Sequence, residues 1–274
     1  MAKRSRPMRF SVFTVIMQEF DRAQVVKHLA QLGYDGVEWR VHESGPHIQL
    51  AKLASEAKEV RRLTEDAGLE LVSLATYLNP GDLENVKRVA EGAKKMGVPM
   101  FRIMPPWFDG STHYVDLCRK TAGELEKVQA VCLDAGLKVL LEIHMRNIIP
   151  SASAAYRLVS NLDPKAVGII FDPGNMIYEG MERWLLGMQL LGPYLAHVHV
   201  KNSKWEIAKG EPDGNLLWRP TWGTLRGGMV NWREVIADLK AVGYRGYLSS
   251  EDFSTELPTL EKLADDLALL KSYL

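Results

Sequence analysis

Four apolar runs that read as strands end on residues with hard donor atoms: Glu142 in VLLEIH, Asp172 in GIIFDPGN, His199 in LAHVHVKN and Glu251 in GYLSSEDF. Three carboxylates and one imidazole, brought from separate parallel strands to one point, make a mixed oxygen and nitrogen site for one divalent ion. Mn²⁺ is the first expectation, with Mg²⁺, Co²⁺ or Zn²⁺ compatible with the same donors. Convergence in space, not local spacing, makes such a site. An ion gripping a ketone oxygen and the neighbouring hydroxyl stabilises an enediolate and eases removal of the proton on the carbon between them. Glu142 and Glu251, reaching that carbon from two sides, would be its base and acid. Two-sided access would invert the carbon, whereas moving one proton between adjacent carbons would shift the carbonyl; the sequence leaves both open.

Taken singly, these residues have plainer roles, since Asp172 before Pro-Gly can start a turn and Glu251 can cap a helix. Four such residues at four successive strand ends favour the shared site. Other polar residues stand at strand ends as candidate substrate binders. His144 shares a strand face with Glu142, and Lys201 could neutralise a carboxylate, phosphate or enolate oxygen. Glu38, with Arg40 beyond it, closes the second strand, where Glu38 could reach substrate or pair with a rim cation.

To meet at one point these residues need a closed scaffold. Eight short runs rich in β-branched and aliphatic residues begin at Arg9, Gly36, Leu69, Pro99, Lys138, Ala166, Leu195 and Gly246, at roughly the thirty-residue pitch of a βα unit. Between them, the segments Arg22 to Gly33, Glu84 to Gly97, Ala122 to Gly136 and Asn231 to Gly243 repeat apolar residues every three or four positions and stop at a glycine. Strands buried on both faces and alternating with helices predict an α/β fold, a single (β/α)8 TIM barrel over 1–274, with active residues at the C-terminal ends of the strands. No GxGxxG follows the first strand, which disfavours an open doubly wound sheet. The segment 202–230 breaks the pitch and is expected to be a long insertion-like loop over the catalytic face, where Trp205, Trp218 and Trp222 stack on substrate or pack the loop down.

Thirty-four basic and thirty-four acidic residues balance to zero, so no basic field draws the chain to nucleic acid or anionic lipid; a small-molecule substrate is expected instead. Cys118 and Cys132 have no CxxC spacing and read as reduced thiols, and the basic MAKRSRP start lacks the pattern of a leader or a membrane span. A cytoplasmic enzyme is expected, with a homo-oligomer open.

The stretch from Lys138 to Phe253 resembles the sugar isomerase and epimerase group of xylose-isomerase-like barrels, which also includes the AP endonucleases. The likeness rests on E-x-H at 142–144, D-P-G-N at 172–175, H-x-H-x-K at 197–201, GGMVNW at 227–232 and GYRGYLSSE at 243–251. The resemblance implies metal ligation by Glu142, Asp172, His199 and Glu251, with His197 left for substrate or for a place behind the ligands. It implies a metal-dependent isomerase or epimerase of a sugar, sugar acid or keto-polyol; dehydratase or lyase chemistry on a keto-sugar or keto-inositol uses the same enediolate. Ketohexose 3-epimerases carry a further glutamate where this chain has Ile148 and a histidine where it has Asn175, which can hydrogen-bond a sugar hydroxyl but cannot relay a proton; this argues against a free ketohexose. AP endonuclease chemistry would need histidines at the third and fourth strand ends, which read LATY and RIMPP. A non-catalytic sugar-binding barrel would not need two glutamates on the metal.

Overall fold

A computed structural model describes residues 8–210 and 213–274. The MAKRSRP segment lies outside them, as do two positions within 202–230. In chain order the elements are β1 (Arg9–Phe13), α1 (Arg22–Leu32), β2 (Gly36–His42), β3 (Ile48–Gln49), α2 (Leu53–Asp66), β4 (Glu70–Ala75), α3 (Leu83–Met96), β5 (Met100–Ile103), α4 (Tyr114–Ala135) and β6 (Lys138–Glu142). There follow α5 (Ala152–Val159), β7 (Val167–Phe171), α6 (Pro173–Glu179), α7 (Trp184–Leu191), β8 (Leu195–Val200), β9 (Asn202–Gly210), β10 (Leu216–Gly223), α8 (Trp232–Ala241), β11 (Tyr247–Ser250) and α9 (Thr259–Lys271).

Strands β1, β2, β4, β5, β6, β7, β8 and β11 pair in that order, all parallel, and β11 pairs back onto β1 from Arg9↔Tyr247 to Val12↔Ser250. The sheet is thus a closed eight-stranded barrel, and the open-sheet alternative is excluded by that last pairing. Closure explains why β7, VGIIF, is buried at every position: one set of side chains fills the barrel and the other meets the helices. The helices start and stop where their ends are satisfied. Asp21 and Gln24 form a reciprocal capping box at α1, and Gly33 ends it in the left-handed conformation with φ of 84°. No helix of the described residues is long and apolar enough to cross a membrane, and both cysteines are free thiols.

Two expectations change. Helix α4 starts at Tyr114 rather than at Ala122, because Gly123 sits inside it on a face where an added Cβ would meet nothing; a helix tolerates such a glycine for about 1 kcal/mol. The 202–230 segment is not an irregular loop: β9 and β10 form an antiparallel hairpin that pairs Trp205 with Pro220 and Ile207 with Trp218. Period-two alternation in SKWEIA places Trp205 and Ile207 on one face, a strand signal that the search for a βα pitch passes over. Asn202 anchors the hairpin base, donating from Nδ2 to the Leu225 and Val230 carbonyls at 2.9 and 3.0 Å. Gly228 lies so close that a Cβ there would come within 2.1 Å of Asn202 Oδ1.

Candidate metal centre

Strands β6, β7, β8 and β11 are consecutive neighbours in the barrel wall, and their C-terminal ends carry Glu142, Asp172, His199 and Glu251. Asp172 is held by the helix it starts, since its Oδ1 accepts from the Asn175 amide at 2.9 Å as the N-cap of α6 while Oδ2 turns inward. One donor atom from each of the four lies within 4.8 Å of every other. His199 Nδ1 is 3.2 Å from Glu251 Oε2, 3.3 Å from Glu142 Oε1 and 3.8 Å from Asp172 Oδ2. Ligands bonded at about 2.1 Å to one ion stand roughly 3 to 4.3 Å apart, so the set fits a single divalent cation. All four residues are buried.

Two buried cations face these acids. Lys201 Nζ lies 2.5 Å from Glu251 Oε2, 2.9 Å from Asp172 Oδ2 and 3.6 Å from Glu142 Oε1. Arg102, near the end of β5, donates from Nη1 to Glu142 Oε2 at 2.5 Å and lies with its guanidinium 4.9 Å from the Phe13 and Tyr77 ring centres. Burial opposes the charge on Glu142, yet Arg102, His199 and Lys201 hold its carboxyl well below the usual range. Glu251 is likewise lowered, against burial, by Lys201 and His199. Asp172 carries the surplus: burial, with Glu142 and Glu251 adding to it against Lys201, pushes it up to about 7. Burial alone would lower the His199 imidazole, but the charges of Glu38, Glu251 and Glu142 hold it well above its ordinary value.

The residues expected to bind substrate divide into two levels. His144 and Lys201 line a cavity of about 270 Å³ at the mouth, with Val15, Tyr77, Arg102, Met104, Trp107, Trp222 and Phe253, above Glu142 and Glu251. His144 meets the Trp107 ring edge-on at 5.1 Å. Glu38, His197 and Asn175 do not line it: all three are fully buried. Asn175 donates from Nδ2 to Glu142 Oε1, Asp172 Oδ2 and the Ile143 carbonyl at 2.9 to 3.1 Å, so it braces two of the candidate ligands. Glu38 points into the barrel interior beneath the ligands, against His197 and His199, because its strand position lies below the rim; Arg40, two residues on, reaches the rim and packs over Tyr77. The tryptophans divide similarly. Trp222 stands between Tyr178 and Phe253 in the mouth wall, Trp205 docks the hairpin by donating to the Ile177 carbonyl at 2.9 Å, and Trp218 is exposed.

Sequence reasoning missed Arg102, whose signal was a lone charge in the otherwise apolar run PMFRIM. It also missed the aromatic walls Tyr77, Trp107 and Phe253, which come from loops. The loop after the third barrel strand and the fourth strand bring Tyr77 and Arg102 to the mouth where a trinuclear endonuclease site would need histidines. A larger cavity, about 830 Å³, opens at the other end of the barrel and is lined by strand starts with Lys138, Lys165 and Arg245. It holds no carboxylate or imidazole, and barrels of this kind do their chemistry at the C-terminal face, so the smaller cavity is the candidate active site.

Residues 26–273 match the family model described as xylose isomerase-like TIM barrel. Among curated proteins, inosose dehydratase 2 of Bacillus cereus is 26% identical over 57% of this chain and 52% of its own length, so the chain spans about half of that relative. Among solved structures, the 3-keto-D-glucoside 4-epimerase YcjR from E. coli superposes with a TM-score of 0.75 at 18% identity, covering 97% of this chain and 99% of that one. The IOLI protein with a bound zinc atom superposes with a TM-score of 0.77 at 15% identity, covering 97% and 99%. Those two likenesses are of fold, while the family match runs through nearly the whole sequence and includes all four candidate ligands: the chain belongs to the xylose isomerase-like TIM barrel family.

Proposed function

We propose that the chain is a divalent-metal-dependent isomerase or epimerase of a small sugar or keto-polyol. The observation that carries this reading is that Glu142 and Glu251, from strands three places apart in the barrel wall, both come within 3.3 Å of His199 Nδ1 under one cavity. An ion held by Glu142, Asp172, His199 and Glu251 would polarise a carbonyl and its neighbouring hydroxyl, making the adjoining C–H more acidic.

The two glutamates are not equivalent. Both oxygens of Glu142 are engaged, Oε2 by Arg102 and Oε1 by Asn175, whereas the bonds of Glu251 to Lys201 and His199 fall on Oε2. Glu251 Oε1 is therefore the freer base and takes the first proton, and Glu142 serves as the acid on the other side. Inversion needs Glu142 to relay a proton taken up from water to the opposite face while Glu251 releases its own to water, whereas return of its proton by Glu251 to the neighbouring carbon isomerises the sugar. Arg102 Nη2, buried and without a partner, borders the cavity and is placed to donate to a substrate oxygen. Tyr77, Trp107, Trp222 and Phe253 offer ring faces to the apolar side of a sugar. Lys201 and Arg102 are already paired with carboxylates, so the cavity favours an uncharged substrate over a phosphorylated one.

A second reading, dehydration of a keto-inositol, begins with the same proton removal and is supported by the similarity to inosose dehydratase 2. The experiment is turnover of Mn²⁺-loaded protein with a panel of neutral keto-sugars and inososes in deuterated water. Deuterium should enter the carbon beside the carbonyl, and the products separate epimerisation and isomerisation from loss of water. Glu251→Gln and Glu142→Gln should keep metal and lose roughly 10²–10⁴ in turnover. Fully active variants, or products with no solvent label, would overturn the proton-transfer assignment.

A further inference from the structure

We infer that Glu38, on β2, is a positioning residue for the metal centre: it fixes the His199 ring so that Nδ1, and not Nε2, is offered to the ion. The inference rests on the metal-binding reading above and concerns a residue that touches neither ion nor substrate. Glu38 Oε2 lies 3.1 Å from His199 Nε2, 3.1 Å from His197 Nε2 and 2.8 Å from Ser249 Oγ. Three donors thus converge on one carboxylate oxygen at a point with no solvent exposure.

The consequence follows from imidazole chemistry. A neutral ring carries one N–H, and donation from Nε2 to Glu38 leaves Nδ1 with a bare lone pair. That nitrogen faces Glu142, Asp172 and Glu251. The opposite tautomer would aim a proton at the ion and set the Nε2 lone pair against a buried carboxylate, two acceptors with no water to separate them. The ring plane is fixed as well, because Phe13 stacks on His199 at 5.6 Å with 21° between planes. His197 and Ser249 hold Glu38 in turn, which gives His197 a structural task below the ligands.

The donor atoms of Glu38, His197 and His199 are also close enough to share an ion of their own. Two features argue for orientation instead. The contacts to Glu38 Oε2 are complete hydrogen bonds at 2.8 to 3.1 Å, and an ion there would require His199 to give up both ring protons and bridge two metals. Outer carboxylates that hold metal-bound histidines typically contribute 10- to 100-fold in metal affinity.

The test uses the full chain, with Zn²⁺ and Mn²⁺ as probes in competition titrations against a chromophoric chelator, and ¹⁵N-histidine NMR of the Zn²⁺-loaded protein. Wild type should show His199 coordinated through Nδ1 with a slowly exchanging Nε2–H. Glu38→Gln, which keeps the volume, and Glu38→Ala should each weaken both ions by about 10- to 100-fold, with loss of the protected Nε2–H. A merely structural role would lower the melting temperature without moving that signal. Coordination of wild-type His199 through Nε2, or a Glu38→Gln protein that binds Zn²⁺ within twofold of wild type with an unchanged His199 signal, overturns the inference even if Glu38→Ala does not fold. Wild type that binds neither ion would instead overturn the metal reading itself.

Discussion

Lys201→Met should destabilise the metal-free protein far more than the metal-loaded one, and more at high pH than at low. The ammonium lies within 3.6 Å of three buried carboxylates, and breaking a buried ion pair by removing one partner typically costs about 3–5 kcal/mol, because the other charge is left uncompensated. For a chain of 274 residues an unfolding entropy of about 2.1 cal/mol/K per residue converts each kcal/mol into roughly 2 °C, so the melting temperature should fall by about 5–9 °C. A divalent ion restores the missing positive charge, and so most of that gap should close when Mn²⁺ saturates the protein. Mn²⁺ should also bind more tightly, since the competing cation is gone. Acid offers a second relief: Lys201 is the main attraction holding down Asp172, whose carboxyl burial pushes up to about 7, and without it Asp172 takes a proton more readily. Calorimetric melts at pH 6 and pH 8, with Mn²⁺ and with a chelator, test each step. Equal losses with and without Mn²⁺, or no dependence on pH, would show that the lysine does not balance the ligand cluster.

Metal affinity should itself fall with acid. Asp172, raised to about 7, and His199, raised well above its ordinary value, must both shed protons to ligate, so each proton released weakens Mn²⁺ binding about tenfold per pH unit below its pKa; an affinity equal at pH 6 and pH 8 would contradict this. Asp266, buried on α9, is pushed up to about 8 by burial and then by Asp252. Its folded state therefore holds a proton more tightly than the unfolded chain, and the stability this contributes is full below about pH 4 and lost as pH rises through 8. Asp266→Asn should gain on the order of a few kcal/mol at pH 8 and little at pH 4, read from denaturant midpoints. Replacing the hairpin tip from Ile207 to Trp218, where Ile207, Leu216, Leu217 and Trp218 are exposed, with a short turn should move the melting temperature by no more than a few degrees, the effect of about 1 kcal/mol. Trp222→Ala, in the cavity wall, should raise KM for a keto-sugar substrate, and an unchanged KM would remove Trp222 from the binding surface.

The sequence by itself determined the barrel and singled out four strand-end residues whose donor atoms the fold brings together. Those are readable because hydrophobic period and helix caps are local: VGIIF must be buried on both faces wherever it sits, and Gly33 ends α1 from its own backbone. The positions of Glu142, Asp172, His199 and Glu251 at strand ends are likewise local facts. What each remaining polar residue faces was decided by tertiary structure. A two-residue period says that Glu38 and Arg40 share a side of β2, but not their height in the barrel, which the stagger between strands sets; one lies under the ligands and the other at the rim. The same stagger brings Arg102 from β5 to Glu142 on β6, a partner 40 residues away, while the start of α6 at Asp172 turns Asn175 toward two of the candidate ligands instead of the mouth. Along the chain Lys201 reads as a cation for a substrate oxygen or for an ion pair at the rim, and only closure of the barrel puts three carboxylates around it.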